Sequence, residues 1–109
     1  MNQNKHIRVL GLTLARGGSK SVTKKNIRHI AGKPLISYTI TEALKSKFLT
    51  RYIVSTDDKE IQKIAVQCGA EAPFLRPSEF STDKSSSVSA MQHAVEWVEY
   101  QEGIKYDFV

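Results

Sequence analysis

The stretch Ile7-Arg-Val-Leu-Gly-Leu-Thr-Leu-Ala15 is largely apolar and runs into two adjacent glycines, Gly17 and Gly18. An apolar run of this length, closed by a glycine turn, reads as a buried strand. The pattern then alternates. Gly32-Lys-Pro34 predicts a helix start, with Pro34 in the first turn, where a missing N–H costs nothing. Ile36, Ile40, Ala43 and Leu44 share one face of that helix. It should end between Lys45 and Lys47, where basic side chains suit a helix C-terminus. Arg51-Tyr-Ile-Val-Ser-Thr56 reads as a second strand. Thr56 or Asp57 is positioned to cap the next helix, whose apolar face is Ile61, Ile64, Ala65 and Cys68 and whose stop is Gly69. Ala72-Pro-Phe-Leu75 predicts a short third strand, kept to an edge or a strand start by Pro73. Val88, Met91, Val95 and Val98 mark a further amphipathic helix ending before Gly103, and Tyr106–Val109 opens a fourth strand. Strands alternating with helices argue for an α/β fold with a parallel sheet of right-handed crossovers. With 109 residues the chain is expected to be a single domain, and one that stops inside a strand.

The chemistry concentrates behind the first strand, in Leu14-Ala-Arg-Gly-Gly-Ser-Lys20 and the nearby Lys24, Lys25 and Asn26. Adjacent glycines let main-chain N–H groups approach phosphate oxygens closely, and cations neutralise them. The overall charge of +5 hides an asymmetry, because residues 1–41 hold eight basic side chains and no acidic one. A basic face also suits nucleic acid, but no aromatic residue able to stack on a base precedes Tyr38, so a nucleic-acid partner is not expected. The loop lacks G-x-x-x-x-G-K-[ST] and G-x-G-x-x-G, which excludes the Walker-type and dinucleotide readings. No apolar run is long enough to cross a membrane and the N-terminus lacks a signal-peptide pattern. A lone cysteine, Cys68, excludes an internal disulfide, and a cytoplasmic location is expected. His29 and His93 lack metal-ligand spacing. Asp57 reads as a helix cap at least as readily as a metal ligand.

The loop, with Lys25-Asn26, Gly32-Lys-Pro-Leu35, Val54-Ser-Thr-Asp57, Gly69-Ala70, Leu75-Arg-Pro77 and Asp83-x-Ser-Ser86, resembles the acylneuraminate cytidylyltransferases (CMP-sialic acid synthetases) in order and spacing. The likeness extends from Val9 to Val109. It implies a three-layer, Rossmann-like nucleotidyltransferase fold with a mainly parallel sheet, here cut short at its C-terminus. It also implies an enzyme, a nucleotidyltransferase joining CTP to a nonulosonic acid, an N-acylneuraminate, with release of pyrophosphate and with Mg²⁺ as cofactor. Pseudaminate, legionaminate and 3-deoxy-manno-octulosonate are alternative acceptors, and a non-catalytic nucleotide-binding fragment is the alternative without chemistry. By position, the resemblance puts Arg16, Lys20 and Lys25 in catalytic roles. The nucleotide would be held by Leu14, Ala15, Arg16, Gly17, Gly18, Ser19, Lys20, Lys25 and Asn26, with Arg76, Ser85 and Ser87 around cytidine. A guanidinium offers donors in a fixed fork and hydroxyls serve either way, which suits a cytosine edge.

Two features depart from the family pattern. Ser21 and Thr23 stand where glycine and proline are common, and a positive φ at Ser21 would strain the loop by roughly 1 kcal/mol. The family's metal ligands and sugar-binding residues are expected after Val109, so the 109 residues alone are expected to be inactive. A homodimer is implied only for the full-length protein.

Overall fold

The computed structural model describes residues 7–16, 29–77 and 87–109. Strand β1 (Leu10–Leu14) and strand β4 (Arg51–Ser55) form the centre of a parallel sheet, in register from Leu10↔Arg51 to Leu14↔Ser55. Alternate residues of β4 hydrogen-bond in opposite directions. The Ser55 carbonyl accepts from Ala15 N at 2.9 Å, whereas Val54 N donates to Glu71 O at 2.8 Å and Thr56 O accepts from Arg76 N at 2.7 Å. The 71–76 segment therefore lies outside β4. On the far side of β1, Leu10 N donates to Phe108 O at 2.9 Å. The spatial order is thus 71–76, β4, β1, 106–109, with parallel bridges at Ile53↔Glu71, Thr56↔Leu75 and Val9↔Phe108.

The predicted third and fourth strands are present only as these bridges. At 71–75 the reason is Pro73, which has no N–H to give to a ladder. Between β1 and α1, β2 (His29–Ile30) and β3 (Lys33–Pro34) make a short antiparallel hairpin. Its two central residues, Ala31 (φ 54°) and Gly32 (φ 84°), take the positive φ values that a tight two-residue hairpin requires. This corrects the expected helix start. Pro34, with ψ 142°, is extended and precedes helix α1 (Leu35–Leu44) instead of lying in its first turn.

Helices cover both faces of the sheet. α1 and α2 (Lys59–Gln67) pack Ile36, Ile40, Ile61 and Ala65 on Tyr52 and Val54, while α3 (Ser87–Glu102) packs Ala94 and Val98 on Leu10 and Ile53. Consecutive β4 residues thus feed opposite cores, as a strand buried on both faces must. Complete burial of each large aliphatic side chain here contributes about 1.5–3 kcal/mol. The expected faces of α1 and α2 hold at Ile36, Ile40, Ile61 and Ala65, with Ala43, Ile64 and Cys68 packed at the margin; Leu44, however, is half exposed. On α3 the expected face holds at Val98, with Val95 packed at the margin, and is displaced over the first turns. The buried stripe is Ala90, Ala94 and Val98, while Val88 and Met91 are exposed. Small residues at intervals of four let the helix axis approach the sheet, and larger neighbours are turned to the rim.

The boundaries of α2 follow from two local devices. Asp58, not Thr56 or Asp57, is the N-cap: its carboxylate accepts from Glu60 N at 2.8 Å and Ile61 N at 3.1 Å. Thr56 Oγ1 instead accepts from Asp58 N at 3.1 Å and fixes the approach to the cap. At the other end Gly69 has φ 99°, Gly69 N donates to Val66 O and Ala70 N to Ala65 O, both at 3.0 Å. Those paired bonds are a Schellman stop, and its left-handed residue is the glycine the sequence offers.

Candidate functional site

In this sheet the chain moves outward from β1 through β4 to 71–76, then returns to the other side of β1. Parallel α/β sheets take ligands outside the carboxyl ends of their strands, at the place where such an order reverses. Arg16 follows β1 at that end, Ser55-Thr56-Asp57 closes β4 there, and Leu75-Arg76 lies alongside. Among the described residues the buried polar side chains are Ser55, Thr56 and Arg76, at 0%, 0% and 6% exposure, and all three belong to this one edge. Burial of a guanidinium is expensive unless its donors are satisfied.

Much of that satisfaction comes from Ser55. Arg76 Nε donates to Ser55 Oγ at 3.0 Å and Arg76 Nη2 donates to the Ser55 carbonyl at 2.8 Å. The same carbonyl accepts Ala15 N at 2.9 Å, so the root of the glycine loop and the Arg76 guanidinium meet on one oxygen. Burial pushes the Arg76 guanidinium below its ordinary value; the charge of Asp57 opposes that shift and the charge of Arg16 adds to it. Arg16 and Arg76 bring two cations to this edge, and the carboxylates of Asp57 and of the α2 cap Asp58 lie at the same strand end.

Of the residues expected to hold nucleotide, Leu14 ends β1 and Ala15 is fully buried in the core beneath α1 and α2. Because its N–H is bonded to Ser55, Ala15 roots the loop and offers no side chain to a ligand. Arg16 and Arg76 are brought together, and Ser87 is the exposed first residue of α3. Gly17, Gly18, Ser19, Lys20, Lys25, Asn26 and Ser85 lie outside the described residues, as do Ser21 and Thr23. The sequence reading missed Ser55 as the residue that seats Arg76. The available signal was a polar pair, Ser55-Thr56, ending an otherwise apolar strand. No group of three or more His, Cys, Asp or Glu forms among the described residues. Asp57, between two arginines, does not by itself make a seat for Mg²⁺. No helix among the described residues is long and apolar enough to cross a membrane.

A parallel sheet with helices on both faces and buried polar side chains at its carboxyl edge defines an α/β protein. Its solved likeness has the same architecture: the structure of CMP:2-keto-3-deoxy-manno-octonic acid synthetase complexed with CTP superposes with a TM-score of 0.73 at 24% identity, over 86% of this chain and 36% of that one. The chain belongs to the cytidylyltransferase family, whose model matches residues 10–100. It is 46% identical over 95 residues to the pseudaminic acid cytidylyltransferase of Campylobacter jejuni subsp. jejuni serotype O:23/36 (strain 81-176), covering 87% of this chain and 40% of that protein. It is 46% identical over 82 residues to the CMP-N,N'-diacetyllegionaminic acid synthase of Legionella pneumophila subsp. pneumophila (strain Philadelphia 1), covering 75% of this chain and 35% of that protein. With the N-acylneuraminate cytidylyltransferase of Escherichia coli O18:K1:H7 the identity is 40% over 88 residues, covering 81% of this chain and 21% of that protein. The alignments thus take in two-fifths or less of the length of these relatives.

Proposed function

We propose that this chain forms the CTP-binding part of a cytidylyltransferase that activates a nonulosonic acid. An anomeric hydroxyl oxygen of the sugar acid forms a bond to the α-phosphorus of CTP and gives up its proton to solvent water. The bond from that phosphorus to the bridging oxygen breaks, and its electron pair leaves with pyrophosphate. Arg16 and Lys20, with main-chain donors from Arg16 to Ser19, hold the triphosphate as charge develops on the leaving group. Lys25 and Asn26 lie against the phosphate–ribose region, and Arg76, Ser85 and Ser87 around cytosine. Most of the acceleration then comes from positioning and electrostatics. No described residue is assigned to Mg²⁺, and no step here runs through it.

The observation that supports this reading best is the meeting of Ala15 N and the buried Arg76 guanidinium on the Ser55 carbonyl, at the strand end that Arg16 follows, in a chain that the cytidylyltransferase model matches over residues 10–100. The test is titration calorimetry with CTP, ATP and a DNA duplex, followed by pyrophosphate release from CTP by the full-length protein. CTP should bind in preference to ATP and DNA, and Arg16→Ala should lower CTP affinity at least tenfold, the loss of one charge-assisted contact being worth about 1.5–3 kcal/mol. Equal affinity for every nucleotide would overturn the reading. The names of the relatives at 46% identity make pseudaminate and diacetyllegionaminate the acceptors to assay beside N-acetylneuraminate.

A further inference from the structure

We infer that Ser55 is a positioning residue for base selection: its hydroxyl fixes the plane of the Arg76 guanidinium, and through it the preference for cytosine over uracil. The inference rests on the proposed placement of Arg76 beside the base and adds a residue that does not touch the nucleotide. Ser55 is fully buried and binds Arg76 through two atoms, Oγ to Nε at 3.0 Å and the carbonyl oxygen to Nη2 at 2.8 Å. The two contacts engage adjacent nitrogens of the guanidinium, so Ser55 defines both a direction and a plane for the group. The carbonyl also accepts Ala15 N, which ties the guanidinium to the root of the triphosphate loop through one rigid strand end.

The plane matters because the two pyrimidines differ where a guanidinium would read them. Cytosine N3 is an acceptor and matches an N–H donor, while uracil N3 carries a hydrogen and opposes one. A donor held in direction discriminates between them, and a donor free to swing loses part of that discrimination.

The test compares CTP with UTP in the full-length protein, by calorimetry and by KM and kcat, for the parent, Ser55→Ala, Arg76→Lys and the double variant. Ser55→Ala keeps the strand carbonyl and both of its bonds and removes only the hydroxyl, so the fold has little reason to change; thermal melting checks this. The CTP-over-UTP ratio should fall on the order of fivefold in Ser55→Ala, the worth of one hydrogen bond, and appear in KM while kcat stays near parental. Arg76→Lys, with one nitrogen in place of a fork, should lose at least as much, and Ser55→Ala should then add nothing on top of it. A melting difference alone, with the ratio unchanged, overturns the inference. So does a Ser55→Ala effect of equal size in the Arg76→Lys background. If the parent itself shows no preference for CTP, the proposed function fails and takes this inference with it; if the parent prefers CTP and Ser55→Ala keeps the parental ratio, only the inference fails.

Discussion

Gly11 shows how closely single positions are set in the sheet. It faces Tyr52 across the β1–β4 pair, on the side covered by α1 and α2. A Cβ added there would lie 2.5 Å from Leu49 Cδ1 and 3.1 Å from Tyr52 Cδ1. Tyr52 is held in place by its hydroxyl, which shares a hydrogen bond with Thr13 Oγ1, so it cannot swing aside freely. Burial raises the phenol's pKa above its ordinary value, and the bond to Thr13 opposes that shift. Gly11→Ala should therefore destabilise the protein by about 1–3 kcal/mol, the range for overpacking a filled core. The check is a urea titration, in which the midpoint falls and the slope is unchanged. An unaltered midpoint would mean that Leu49 moves away at no cost.

At the scale of elements, α2 is the clearest case of local chemistry setting boundaries. Its N-cap bonds run from Glu60 N and Ile61 N to one carboxylate oxygen of Asp58, and its stop depends on Gly69 at φ 99°. Asp58→Ala should cost about 1 kcal/mol by leaving two main-chain donors without that acceptor, and Asp58→Asn should recover most of it. Thermal melting of the two variants side by side decides the point; equal melting temperatures for Ala and Asn would show that the cap contributes nothing. The stop was legible in the sequence, because glycine is the residue that takes a left-handed conformation without strain. The cap was legible only to within two residues. Thr56, Asp57 and Asp58 all have capping side chains, and the choice fell to Asp58 because Thr56 is used by the sheet and by the turn beneath it. The face of α3 was legible at Val95 and Val98 but not over the first turns. Periodicity counts large apolar residues, and Ala94, which joins Val98 against Leu10 and Ile53, was passed over for that reason.

For the molecule as a whole, the edge opposite the candidate site is held by a polar network at Arg51, the first residue of β4. Its guanidinium reaches Glu71 through Nε at 3.1 Å and Nη2 at 2.9 Å, and Glu102 through Nη1 at 2.6 Å. Tyr106 donates its hydroxyl to the same Glu102 oxygen at 2.6 Å, and its main-chain N–H to Glu99 at 2.8 Å. The 71–76 segment, β4, the end of α3 and the last described segment are thereby joined at one end of the sheet, opposite the candidate site. Burial, reinforced by the hydrogen bond to Glu102, pushes the Tyr106 phenol up to about 12. In the unfolded chain the phenol ionises near its ordinary value of 10, so the stabilisation is complete below pH 10 and is lost as pH rises towards about 12. Glu102 is shifted the other way, by its hydrogen bonds to Tyr106 and Arg51, and its contribution is present above its ordinary value of 4.5 and lost on acidification. Stability measured from pH 9 to 12 should fall less steeply in Tyr106→Phe than in the parent. Identical slopes would remove Tyr106 from the alkaline transition.

The alternation of strand and helix and the covered faces of α1 and α2 were fixed by residue order, because side-chain periodicity and turn chemistry are local properties. The cytidylyltransferase resemblance, too, could be read from motif spacing alone. Tertiary structure decided that Pro34 ends a hairpin strand, that Pro73 reduces the third strand to bridges, and that Ala94 joins Val98 against the sheet. It also decided that Arg76 is buried against Ser55, twenty-one positions earlier in the chain. No local signal records that pairing. The cost of burying a guanidinium is met by whichever acceptors the neighbouring strand ends present, and these are known only once the sheet has formed.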